Sequence, residues 1–276
     1  MPISKKMIIT AVCLALAAVL AAGATVGYLT FVRSPIDTPA RACRDDATAT
    51  GPVVVAAGAS MTRGTLGADW VGSLRNRPDF AGHRFVNAGI NGNTSGDLRE
   101  RAGTDIVACH PDAVLILVGT NDVRDGVPVD TYRANLAAIV GHVTTGTTAR
   151  VALISVPPLG EDLGAGINQR LAEYNRAVAE VAAAAHAGYL PFHERLADLL
   201  RRREKPPSTY DFGFGLAFRA AARHHLLRQS WDQVAHSHGL EFFVDHIHLS
   251  DRGGAILTDL TADWLRSTVP GTPPGR

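Results

Sequence analysis

Val53-Val54-Val55-Ala56-Ala57-Gly58-Ala59-Ser60 is the stretch on which the fold of this chain turns. Five apolar residues in succession, without the polar alternation of a half-exposed strand, describe a strand buried on both faces. The Gly-x-Ser that follows ends the strand in a turn and leaves a hydroxyl at its carboxyl end. Strands covered on both faces belong to sheets flanked by helices, so the next question is whether helices follow.

They do. Helical character appears around residues 65–76, and Arg84 to Asn87 reads as a second short strand. Ser95 to Cys109 reads as a helix, Ala113 to Val118 as the third strand and Val129 to Thr144 as the helix after it. Val151 to Val156 is the fourth strand, ending at Pro157-Pro158. Ile167 to Ala185 is a strong helix, Tyr189 to Phe192 a fifth strand, and Ser250 is placed to cap a final helix through about Leu265. Strands alternating with helices predict an α/β fold: a parallel sheet of about five strands, joined by right-handed crossovers and covered in three layers. No internal repeat is visible.

Bulk composition frames this reading. The chain has 276 residues, 46% hydrophobic and 19% charged, with a formal net charge of +1. That suits a globular domain with an ordinary core. It offers no basic field, so no nucleic-acid partner is expected.

The N-terminus differs. Lys5 and Lys6 precede an uncharged, mostly apolar run from Met7 to Val32, closed by Arg33. About 26 residues at 1.5 Å each make roughly 39 Å of helix, enough to cross a bilayer with tilt. Two fates are open. Ala22-Gly23-Ala24 is a small-residue site at which a signal peptidase can cut, whereas apolar character continued from Thr25 to Val32 suits an uncleaved membrane anchor. A buried core helix is the bland alternative. In the first two, the leading basic residues place the remainder outside the cytoplasm. Residues 1–33 are therefore expected to be signal peptide or anchor, and 34–50, rich in Pro, Thr and Ala, a linker. Residues 51–270 form the domain, with a helical insertion at about 204–240. Export leaves Cys43 and Cys109 in an oxidising compartment, where they either pair or stay as two buried thiols.

Four motifs carry chemistry: Gly58-Ala59-Ser60-Met61, Asn87-Ala88-Gly89-Ile90-Asn91-Gly92, Gly119-Thr120-Asn121-Asp122 and Asp245-His246-Ile247-His248. Three of them fall just after a predicted strand, where parallel sheets bind ligands. Ser60 is a weak nucleophile until a base takes its proton. The base needs a pKa near working pH, which makes histidine the usual choice and His248 the candidate, and Asp245, three residues away, can orient its other ring nitrogen. Charge developing on a carbonyl oxygen needs donors fixed in advance. The backbone N–H groups of Ser60 and Gly92 and the side-chain amide of Asn121 can supply them. Each motif has a plainer reading. Gly-x-Ser is usually a turn, Asn121-Asp122 is common turn chemistry, and Gly89 to Gly92 can hold a phosphate. His246 and His248 with Asp245 can ligate a metal, but nothing else completes such a site, so no metal or cofactor is expected.

In order and spacing these motifs resemble the SGNH hydrolases, the GDSL-type esterases and lipases, over roughly residues 51–268. The resemblance implies a flavodoxin-like doubly wound sheet with Ser60 as nucleophile, Gly92 and Asn121 as oxyanion donors, His248 as base and Asp245 as acid. Val156-Pro157-Pro158 and Tyr174-Asn175 also look like the family's fourth strand and following helix. The first block departs from the family's Gly-Asp-Ser, since Ala59 takes the place of a supporting Asp, and Asn93 stands where Asp is frequent. No Gly-x-Ser-x-Gly elbow is present, which separates the chain from α/β-hydrolases. The function implied is an exported serine esterase cleaving small-molecule, lipid or glycan esters through an acyl-Ser60 intermediate. The alternatives are a glycan or lipid deacetylase or an acyltransferase with the same residues, and a surface binding protein on a degenerate scaffold. Arg201 to Lys205 reads as a solvated helix end. Leu216, Ala220, Leu227, Trp231 and Val234 suggest an amphipathic helix that either packs on the sheet or covers the site.

Overall fold

In the computed structural model, residues 4–43, 51–203 and 208–269 are described. The strands are β1 (Val53–Gly58), β2 (Arg84–Gly89), β3 (Ala113–Leu117), β4 (Arg150–Ile154) and β5 (Gly188–Leu190). The helices in chain order are α1 (Lys5–Gly27), α2 (Pro39–Ala42), α3 (Ser60–Arg63), α4 (Trp70–Arg75), α5 (Ser95–Asp105) and α6 (Thr120–Asp125), then α7 (Val129–Gly146), α8 (Gly166–Ala184), α9 (Phe192–Arg201), α10 (Phe214–Leu227), α11 (Trp231–Ser237) and α12 (Asp251–Thr268). A π-helical turn, Tyr28–Val32, extends α1.

All five strands are parallel, in the order β2-β1-β3-β4-β5. This is the flavodoxin-like doubly wound sheet, and its order reverses between β1 and β3. Every residue of β1 is buried, and the run sorts by alternation: Val54 and Ala56 face one core, Val53, Val55 and Ala57 the other. One core lies under α4, α9, α10, α11 and α12, the other under α5, α7 and α8. Gly58 pairs with Gly89 on one side and Leu117 on the other. The carboxyl ends of the three strands are thus level, and the loops that follow emerge at one edge.

Several expectations need amendment. The helix expected around 65–76 is shorter, α4 alone, and a separate single turn, α3, precedes it; Gly64 and Leu66 adopt positive φ (77° and 53°) between the two. Asp69 then caps α4, accepting from the Gly72 N–H at 2.8 Å. The amphipathic helix expected across Leu216 to Val234 breaks at Arg228, which has φ 54°. Ser230 and Gln233 restart it with a capping box. Residues 34–43 of the expected linker pack on the domain, while 44–50 lie outside the described residues. The Asn87 N–H on edge strand β2 donates to the Asp37 carbonyl at 2.8 Å, Asp37 pairs with Arg75, and Cys43 is disulfide-bonded to Cys109. Low apolar content had suggested a free tether, but edge-strand bonding and a covalent bridge order the segment instead. Closing a 66-residue loop stabilises by about 4 kcal/mol on the chain-entropy model.

Of the insertion expected at 204–240, residues 204–207, which include Glu204 and Lys205, also lie outside the described residues. Within it, α10 buries Ala217, Ala220 and Ala221 in the core, so this face packs rather than covers the site. Arg203, expected to be solvated, is mostly buried and pairs with Glu161, whose side chain is wholly enclosed.

Candidate active site

Ser60 is the first residue of α3, so its N–H has no intrahelical acceptor. The buried Trp70 indole donates to the Met61 carbonyl at 3.1 Å and fixes this short helix from behind. Asn87, on β2, donates from Nδ2 to the Thr62 carbonyl at 2.8 Å. The Ser60 turn is therefore tied to two neighbours rather than left as a free loop.

The Asp245–His248 loop is built locally. The Val244 N–H donates to the His248 carbonyl at 2.8 Å, and Phe243 bridges Leu249 in antiparallel fashion. His246 takes the left-handed conformation (φ 72°) needed for so tight a reversal. Asp245 Oδ1 accepts from the N–H groups of Ile247 and His248 at 3.1 and 2.8 Å, and Oδ2 meets His248 Nδ1 at 2.8 Å. Burial pushes this enclosed carboxyl upward, yet the His248 imidazole and these hydrogen bonds outweigh it and hold it below the usual carboxylate range. An ionised Asp245 draws the proton to Nδ1 and leaves the Nε2 lone pair facing outward. His248 Nε2 lies 2.9 Å from Ser60 Oγ. Both His248 nitrogens thus have partners within the protein.

The third and fourth contributors arrive from β2 and β3. Gly92 is exposed with φ 77°, and a Cβ built there would meet nothing. The glycine is thus required by backbone conformation, and the space beside it is open for a ligand. Asn121, buried in α6, donates from Nδ2 to the Asn93 carbonyl at 2.8 Å, which ties it to the loop carrying Gly92. Asp122 accepts from both the N–H and the hydroxyl of Ser95, at the start of α5. Burial raises its carboxyl above the usual range despite these bonds.

Sequence reading missed Arg101. From α5 its guanidinium reaches the carbonyls of Gly58 and Ala88, both at 2.9 Å, and Asn93 Oδ1 at 2.7 Å. Asp105 anchors it at 2.9 Å. One side chain therefore ties together the ends of β1 and β2 and the Gly92 loop. It gives support around Ala59, where the family's Asp is missing, and Asn93, the other departure, is one of its partners. No local pattern marks an arginine within a helix for such a role.

A model of the GDSL-like lipase/acylhydrolase family matches residues 56–256. The acetylxylan esterase of Geobacillus stearothermophilus is 37% identical over 91 residues, which are 28% of this chain and 42% of that enzyme's length. Among solved structures, acetylxylan esterase Axe2 of the same organism superposes with a TM-score of 0.56 at 20% identity, over 82% of this chain and 98% of that one. The lipase/acylhydrolase of Enterococcus faecalis gives a TM-score of 0.57 at 20% identity, over 82% of this chain and all of its own (100%). The chain belongs to the GDSL-like lipase/acylhydrolase family, and with it to the carboxylic ester hydrolases.

Proposed function

We propose that the chain is an exported serine esterase in which Ser60, His248 and Asp245 form the catalytic triad. The supporting observation is the unbroken hydrogen-bonded chain from Ser60 Oγ through His248 to the enclosed Asp245 carboxylate. His248 Nε2 takes the Ser60 proton as Oγ attacks the ester carbonyl carbon. The N–H groups of Ser60 and Gly92 and the Asn121 amide receive the oxyanion. Collapse breaks the bond to the alcohol, whose oxygen takes the proton back from His248. Water, deprotonated by the same imidazole, then releases the carboxylic acid and restores Ser60. The chemistry uses no metal or cofactor.

The substrate reading is a short acyl ester, carried on a glycan or lipid outside the cytoplasm. The relative named for acetylxylan supports the acyl part. Export is supported by the helix over Lys5–Val32, which is long and apolar enough to cross a membrane, with mean hydropathy 2.5. Purified full-length protein is expected to cleave p-nitrophenyl acetate, with Ser60→Ala lowering kcat/KM by at least ~10³-fold. A fluorophosphonate should label the wild type at Ser60 and leave the variant unmarked. A chain with neither turnover nor labelling would be a binding protein on this scaffold.

A further inference from the structure

The catalytic edge of the domain lies beside the exit of the apolar N-terminal helix. Asn91 Nδ2, next to Gly92, donates to the Phe31 carbonyl at 3.2 Å. Arg63, the last residue of the helix begun by Ser60, donates to the carbonyls of Val32 and Arg33 at 3.0 and 3.2 Å. Val26 is 1% exposed and shares a core with Ala217, Ala220 and Ala221, so the end of α1 packs against α10.

Length sets the height of this junction. A hydrocarbon core takes about 20 helical residues, which carries the crossing from Met7 to about Val26. The six residues to Val32 add about 9 Å, roughly the depth of one headgroup layer. Phe31, Val32 and Arg33 therefore stand where lipid meets water, and the Gly92 loop stands with them. At that level α10 turns Phe214 (84% exposed), Phe218 (47%), Leu226 (53%) and Leu227 (63%) away from the protein. The helix contains no acidic residue and carries Arg219 and Arg223. Exposed aromatic and aliphatic side chains beside arginines, held at interfacial height by a neighbouring span, suit anionic lipid better than water.

We propose that α10 and the end of α1 form a membrane-docking surface, which holds the opening beside Ser60 against the outer face of the bilayer, so that the substrates are esters presented at that face. The substrate half of this rests on the serine-esterase reading above. The docking half does not.

The test uses the full chain, with Cys13→Ala, reconstituted in vesicles of phosphatidylcholine and phosphatidylglycerol. A nitrobenzoxadiazole label at Phe214→Cys should be quenched by headgroup-level nitroxide lipids, and a label at Thr145→Cys on α7 should not. The Phe214→Glu/Phe218→Glu variant should hydrolyse vesicle-borne dilauroylglycerol at least ~10-fold more slowly, with kcat/KM for p-nitrophenyl acetate within about twofold. A label at 214 as unquenched as that at 145 overturns the proposal. So does one shielded only at high protein-to-lipid ratio, which would assign the face to a second copy. Equal losses on both esters, or none on either, overturn it as well. Quenching at 214 in a wild type that cleaves neither ester leaves the docking standing and strikes the esterase reading, with the substrate class that depends on it.

Discussion

Asp245 and His248 reach the site on one loop, closed by its own backbone bonds and two N–H donors to a single carboxylate. Ser60, Gly92 and Asn121 come from three strand ends, and three groups align them: the side chains of Asn87 and Arg101 and the backbone carbonyl of Asn93. The first half needs only a few consecutive residues in the correct conformation. The second needs the sheet to be level at Gly58, Gly89 and Leu117 before any donor is in place. Damage to the local half should therefore remove chemistry and spare the fold. Damage to the distributed half should cost both.

The largest expected effect tests the local half. Asp245→Asn keeps the volume but removes the charge that draws the proton to Nδ1, so kcat should fall ~10³–10⁴-fold with KM little changed. A loss under tenfold would show that the loop alone orients the imidazole. Next is Asn121→Ala, for which the loss of one proposed oxyanion donor should cost ~10²–10³-fold in kcat. Because its amide also holds the Asn93 carbonyl, some loss of melting temperature should accompany it. Arg101→Met should lower kcat roughly tenfold and stability by about 2 kcal/mol, the cost of two strand-end carbonyls and Asp105 losing their charged partner. Kinetics and denaturant unfolding on the same preparation would check this, and a purely kinetic effect would contradict the shared wiring.

The smallest effect is a pH dependence. His246 and His193 are held below the ordinary imidazole value, in both cases mainly by burial. The fold keeps them neutral, whereas the unfolded chain takes up their protons near pH ~6.5. Their contribution is complete above that value and is lost as pH falls toward their folded values. Asp245, held low, adds a similar loss only in the acid range below the usual carboxylate value. Asp122, raised by burial, acts in the opposite sense: its contribution is present at low pH and lost as pH rises through its folded value. Melting temperature should stay level from pH 8 to 7 and decline below about 6.5. His246→Gln should flatten the upper part of that decline.

What the chain shows without coordinates follows the same division. Continuous apolar strands, Gly at the turns and the Asp-x-x-His spacing are local patterns, and from them the five-stranded sheet and most of its flanking helices are readable, α9 excepted. The Arg101 clamp, the Glu161–Arg203 pair and the docking of Asp37 against β2 join residues far apart in sequence. Each looks like an ordinary surface charge until the fold closes. Arg203 was read as solvated because a run of arginines at a helix end is usually wet, and only the enclosed Glu161 carboxylate shows otherwise.

The Cys43–Cys109 bridge also has a mechanical corollary. It staples the polypeptide between the apolar helix and the first strand to the α5 side of the molecule, ahead of β1. Traction arriving from the N-terminal helix is thus carried by a covalent bond before it can reach Val53. With the staple cut, the same tug would run directly into β1, an interior strand of the sheet, just beyond whose far end Ser60 sits.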